Sequence, residues 1–361
     1  MDSISEISVT GINEMISTFN EISDSFGKHE DTKNFLKSAE SAILKAQELL
    51  TRTETSIEAQ SIKSYAVTAY QLIHGISEDF SLFKLFEQCV SDKRWKSLTN
   101  MVTVCSKFMS VCPIPSVVIS GSTYFSSHGP PNIRPDDDTN IPKYNIVSVD
   151  QLNSPIMWPN VIHELCHFKI EDGKLQDQIY GYLNNFNLDI ESTEDKIEEA
   201  ICDCMSTLIL GPSYPYSFLA QYFQVLGNTH STTHPNDAFR LKIMTQTLRE
   251  CHMIKEYKNI EVILNNSLAQ SWKEDELFPV LDQIIDETIR CFDIPHCTNF
   301  RKNLSLHMYK NSTNSDLYSL FNEGWNIIYS THRRDHRIYR EVSNVILKRL
   351  ESESFSLYPS S

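Results

Sequence analysis

The sequence predicts a mainly α-helical chain with one small β-sheet near its middle. Three observations predict this. Apolar residues recur at helical spacing through most of the chain. Two short β-type runs lie between Pro115 and Asp150, and Gly/Pro or Asn/Ser clusters separate the remaining segments. With 361 residues and 40% hydrophobic content the chain can bury a substantial core in one large domain or two. We expect an N-terminal helical region at 1–112, a central core at 113–250 and a C-terminal helical region at 251–361.

The first thirty residues are rich in Ser, Thr and Asn and are expected to be loose. From Thr32 to Leu50, Phe35, Leu36, Ala39, Ile43, Ala46, Leu49 and Leu50 fall on one helical face. Similar stripes run over Ile57–Ile73 and Phe80–Met109 and read as core. Pro113 and Pro115 then change the pattern. Ser116–Ser120 reads as a strand ended by Gly121, residues 126–142 as a loop, and Tyr144–Val149 as a second strand. Beyond Leu248 helices are expected over Glu261–Trp272, Asp275–Phe292, Asp316–Ser330 and Asp335–Glu351, with a turn at Asn311–Ser315.

A net charge of −15 excludes a nucleic-acid partner, which needs a basic surface. Nine cysteines without framework spacing point to free thiols and a reducing compartment, most simply the cytoplasm. The N-terminus lacks the basic-then-apolar pattern of a secretory signal, and no stretch approaches the ~18–20 apolar residues of a membrane span.

The chemistry-bearing signal is His163-Glu164-Leu165-Cys166-His167, an HExxH. Positions i and i+4 share a helical face, so His163 and His167 can present two imidazole nitrogens to one metal ion, with Glu164 placed to reach a water on it. The surrounding segment, 158–170, carries Val161, Ile162, Leu165, Cys166 and Phe168 at a spacing that suits a buried helix. Pro155 or Pro159 suits its first turn and Gly173 its end.

A catalytic zinc needs a third protein ligand and an open position. Downstream, Ser192 reads as the cap of a helix with Ile197, Ala200, Ile201, Cys204, Met205 and Leu208 on its apolar face, ended by Gly211-Pro212. Glu199 and Asp203 border that stripe at i, i+4. Two readings stand side by side. Glu198 and Glu199 are either solvated acids favoured by the helix dipole, or Glu199 is a buried carboxylate that a metal neutralises.

Glu199-Ala200-Ile201-Cys202-Asp203 resembles the glutamate helix of gluzincin metallopeptidases. The resemblance implies that Glu199 is the third zinc ligand, that Asp203 orients His163, and that Glu198 supports His167. Thr233-His234-Pro235, with Arg240 five residues on, is similar to a THPxxxxR segment of CAAX prenyl proteases and HtpX-like peptidases. There the histidine and arginine stabilise the oxyanion, roles that would fall to His234 and Arg240. Read alone, His234 is an ordinary loop or capping histidine beside a helix begun by Pro235, and Arg240 a surface charge. His230 competes with His234. The CAAX relatives are commonly membrane-embedded, so their setting and prenylated substrate do not carry over.

The expectation is a zinc-dependent metalloendopeptidase acting on a protein or peptide substrate. His163, His167 and Glu199 hold Zn2+, Glu164 is the base, His234 and Arg240 are catalytic, and a regulatory protein partner is compatible with the large helical flanks. Tyr144–Val149 is the candidate edge strand for binding extended substrate, and Tyr144, Tyr180 and Tyr182 are further candidates for the oxyanion. One alternative is a non-catalytic interaction module with a structural zinc, for which Cys166 or Cys202 must supply a fourth ligand. Another is a selective defence or effector protease kept inactive until triggered. Asp136–Asp138 reads as a solvated loop. The pair His332/His336, surrounded by arginines, reads as an exposed face.

Overall fold

The computed structural model describes residues 33–55, 68–69, 92–119, 124–129, 144–149, 153–170, 174–184, 190–221, 233–266, 275–292, 316–330 and 336–351. His230, His332, Asp136–Asp138, the Asn311–Ser315 turn and nearly all of the expected helix at 57–73 lie outside them. The described chain is mainly α-helical with one small sheet. It divides into two compact units, one of residues 1–107 and 111–150 and the other of 108–110 and 151–361.

In the first unit, α1 (Lys33–Thr55) buries Leu36, Ala39, Ile43, Ala46 and Leu49, the face that the periodicity predicts. Helix α2 (Lys93–Met109) buries Trp95, Leu98, Met101, Val102 and Cys105. The Trp95 indole N–H donates to the Val117 carbonyl at 3.1 Å, which ties this helix to the sheet. Strands β1 (Ser116–Ile119), β2 (Phe125–Gly129) and β3 (Tyr144–Val149) form that sheet in the order β1-β3-β2. β1 runs parallel to β3 with Ser116 opposite Ile146, and β2 runs antiparallel with Phe125 opposite Ser148.

Two sequence expectations are corrected here. Residues 126–129 belong to a strand, not a loop. Ser126-Ser127-His128-Gly129 lacks the β-branched alternation that marks a strand, and its register comes from β3. Tyr144–Val149 was the expected edge strand for binding extended substrate. It is instead the central strand, buried throughout and paired on both sides, so its backbone groups are committed to its neighbours.

The second unit is helical: α3 (Asn160–Ile170), α4 (Lys174–Leu183), α5 (Ile190–Leu210), α6 (Ser213–Gln221), α7 (Asp237–Glu250), α8 (Ile254–Asn266), α9 (Leu281–Cys291), α10 (Leu317–Ser330) and α11 (His336–Leu350). Helix α5 is its axis, packed by α3, α4, α6, α7, α9 and α10. From Ala200 to Leu219 every residue is buried, which requires an almost uninterrupted small or apolar sequence. α5 starts at Ile190, so Ser192 lies in its first turn and is not its cap. Gly211 ends α5 at φ +62, a conformation that favours glycine, and a Cβ there would sit 2.6 Å from the Tyr318 hydroxyl. Helix α8 begins seven residues before the expected Glu261.

α7 is capped by Asn236, whose side chain accepts from the Phe239 N–H at 2.8 Å. Pro235 precedes the helix and does not begin it. A 3-10 turn at Pro155–Met157 feeds α3 and packs against α6, α10 and α11. No helix among the described residues is long and apolar enough to cross a membrane. Cys105, Cys112, Cys166, Cys202, Cys204, Cys251 and Cys291 are all free thiols.

Candidate metal centre

Helices α3 and α5 bring the site together. His163 and His167 stand one turn apart on α3, their rings 5.1 Å between centroids and nearly perpendicular. Glu199, on α5, faces both. Its Oε2 lies 3.0 Å from His163 Nε2 and its Oε1 3.4 Å from His167 Nε2. One donor atom from each of the three residues lies within 4.8 Å of the others. A tetrahedral ion with bonds of 2.0–2.1 Å separates its ligand atoms by about 3.3 Å. The two nitrogen–oxygen distances, each to a different oxygen of Glu199, are close to that spacing.

The other nitrogen of each ring has its own acceptor. His167 Nδ1 donates to Glu198 Oε1 at 2.6 Å, and His163 Nδ1 lies 3.0 Å from Asp203 Oδ1. Both Nε2 atoms are therefore the ones turned toward Glu199, the arrangement in which carboxylates fix the imidazole tautomer for a metal. Glu198 and Asp203 thus stand behind the two rings.

Arg240, on α7, is buried and not the surface charge that it resembles when read alone. Its Nε donates to Asp203 Oδ2 at 2.7 Å and its Nη2 to Asp203 Oδ1 at 2.9 Å. Nη2 also lies 3.2 Å from Glu199 Oε2 and 3.3 Å from His163 Nε2. The guanidinium rests over the Phe218 ring, 5.1 Å from its centroid. His234 is the half-exposed member of the group. Its side chain is 48% exposed, with Nε2 3.3 Å from Glu199 Oε1 and Nδ1 2.8 Å from the Thr233 hydroxyl.

The charges of the site favour a cation. Glu199 and Asp203 are buried beside a single guanidinium, with Glu164 and Glu198 close to the two imidazoles, and buried carboxylates are costly unless neutralised. The proton affinities reflect this. Burial disfavours the charged form of His163, but Glu199 and Asp203 outweigh it and raise its pKa. His167 rises well above the ordinary value, with Cys202, Glu198 and Glu199 overcoming burial. Burial would push Glu199 and Asp203 up. Their cationic neighbours reverse this, holding Glu199 well below the carboxylate range and Asp203 at about 2. Glu164 is shifted upward, chiefly by burial. A dication bound to the three donors would supply the positive charge that protonated imidazoles otherwise provide, so the residues present fit a metal ion.

Several residues were not legible beforehand. Tyr214, on α6, donates its hydroxyl to Asp203 Oδ1 at 2.5 Å and lies 3.0 Å from His163 Nδ1. No motif flags it. Of the tyrosines considered from sequence, Tyr144 is in β3 of the first unit, the Tyr180 hydroxyl donates to the Glu194 carbonyl, and Tyr182 is exposed. Burial raises the Cys202 thiol well above its ordinary pKa, against the opposing effect of His167. Cys166 meets the Ser206 hydroxyl at 3.5 Å. No family model, curated protein or solved structure matches the chain.

Proposed function

We propose that this chain is a zinc-dependent metallopeptidase of the gluzincin kind, hydrolysing peptide bonds of a protein substrate. The observation that supports the reading best is the convergence of His163, His167 and Glu199, each ring held from behind by its own carboxylate, with a carboxylate at Glu164 beside them. Zinc, when bound, supplies Lewis acidity toward a scissile carbonyl and a water that loses its proton near neutral pH.

The rest falls to the chain. Glu164 takes the proton of the attacking water and delivers it to the leaving amide nitrogen, a role that its raised proton affinity suits. His234, half-exposed at the site, is the donor placed to meet the negative oxygen of the tetrahedral intermediate. Arg240 has two nitrogens engaged by Asp203 and holds Asp203 and Glu199 in place. A cytoplasmic setting is compatible with the free thiols.

A second reading, a structural zinc in an interaction module, draws support from the Cys202 thiol beside His167. That thiol is not among the donor atoms that converge within 4.8 Å of one another, which leaves this reading without a fourth ligand among the described residues. Glu164→Gln separates the two. On the peptidase reading it keeps about one zinc per chain and loses peptide hydrolysis. Cleavage of a peptide library at the wild-type rate by Glu164→Gln would remove the assigned base, and a zinc-loaded wild type inert on every library would favour the structural site.

A further inference from the structure

We propose that Tyr214 is a positioning residue of the metal centre: its hydroxyl locks Asp203 and the His163 ring in the orientation that turns Nε2 toward Glu199. This rests on the metal-site reading above and extends it to a residue that no motif marks.

Donor capacity fixes the direction of each bond here. The Asp203 carboxylate only accepts, so in the 2.5 Å contact the Tyr214 hydroxyl is the donor. With its proton committed, the Tyr214 oxygen presents lone pairs to His163 Nδ1, 3.0 Å away. Asp203 Oδ1 lies equally close on the same nitrogen. Both neighbours of Nδ1 are therefore acceptors. The proton stays on Nδ1, and the lone pair of the neutral ring is left on Nε2, the nitrogen that lies 3.0 Å from Glu199. Tyr214 and Asp203 are both fully buried, so no solvent molecule replaces the hydroxyl if it is removed.

Helix α6 is built to hold this contact. Tyr214, Ser217, Phe218 and Gln221 recur at i, i+3, i+4 and i+7, on one face. Phe218 lies under the Arg240 guanidinium. Ser217 donates to Asn160 Oδ1 at 2.9 Å, and Asn160 Nδ2 donates to Gln221 Oε1 at 2.5 Å. Asn160 is the first residue of the HExxH helix. One short helix thus fixes the start of α3, the Asp203 carboxylate and Arg240 together. The His163 and Tyr214 rings lie nearly parallel, 11° apart, with centroids 6.1 Å apart.

The test is Tyr214→Phe in the full-length chain, which removes one oxygen and keeps the ring. Zinc affinity, measured by chelator competition, should fall by about 10- to 100-fold, the range for losing a partner of a ligating histidine. The visible spectrum of the Co2+-loaded variant should depart from wild type. Tyr216→Phe removes a hydroxyl from the opposite face of α6, which packs on Trp325 and Tyr329, and should keep wild-type affinity and spectrum.

If Tyr214 only packs, Tyr214→Phe will lower the melting temperature of the chelator-stripped and zinc-loaded protein alike, with affinity and Co2+ spectrum unchanged. That result overturns the proposal. A wild type that binds neither Zn2+ nor Co2+ overturns the metal centre and this role together, so the two failures are distinct. Histidine-selective 15N spectra of the zinc-loaded wild type need no variant. They should show His163 protonated at Nδ1, and a proton on Nε2 would contradict the argument.

Discussion

Asp203→Asn should be among the most damaging isosteric changes in this chain, and the structure says by how much. The carboxylate is wholly buried and receives Tyr214, His163 and two nitrogens of Arg240. Against burial, Arg240 and then His163 hold its pKa at about 2, below the ordinary 3.8. That difference alone corresponds to roughly 2–3 kcal/mol of stability. Substitution costs more than this. An amide turns N–H donors toward groups that are themselves donors, and Arg240 is left buried with less compensation, so the total should be about 3–5 kcal/mol.

The sign with pH follows from the depressed pKa. The Asp203 contribution is complete above about pH 5 and fades as the pH falls toward 2, so the gap between wild type and variant should narrow over that range. Urea unfolding of chelator-stripped protein, followed by far-UV circular dichroism, measures it. A loss below about 1 kcal/mol at neutral pH, or a gap indifferent to acid, would refute the reasoning.

Three further outcomes are expected. Glu198→Gln should weaken zinc binding by about 10- to 100-fold in a chelator competition, since it holds His167 Nδ1 at 2.6 Å; unchanged affinity would show that this bond does not orient the ring. Metal affinity should rise with pH through neutrality. Both imidazoles are raised by neighbouring acidic groups that outweigh burial, and each must lose its proton, so the gain is up to about tenfold per pH unit for each proton released; a flat profile would contradict it. Gly211→Ala should destabilise the α5–α6 turn by about 1–3 kcal/mol, because its φ is +62 and its Cβ would meet the Tyr318 hydroxyl. A melt identical to wild type would mean that the turn adjusts freely.

Most of the helices and the first layer of the site were legible in the sequence for one reason: both follow from the 3.6-residue period. His163 and His167 share a face by spacing alone, and the apolar stripe of α5 shows which side of Glu199 and Asp203 is buried. Groups that meet only through tertiary packing were not legible. Tyr214 reaches His163 across 51 residues of sequence, and nothing local distinguishes it from other tyrosines. Arg240 looks like a surface charge until α7 is packed on α5. β2 gains its strand from its partner and not from its own residues. Tyr144–Val149 reads as a strand whether edge or centre, because alternation does not report how many neighbours pair with it.

The claim on which the rest depends is that two imidazoles and the Glu199 carboxylate hold one divalent ion. Zinc-edge X-ray absorption on the purified full-length chain, with the metal content measured alongside, tests it most directly. The expected result is about one zinc per chain bound only by nitrogen and oxygen at about 2.0–2.1 Å, and loss of the ion in His163→Ala. A sulfur shell at about 2.3 Å would place Cys202 among the ligands and contradict the open site, and a wild-type chain that retains no zinc would contradict the metal centre altogether.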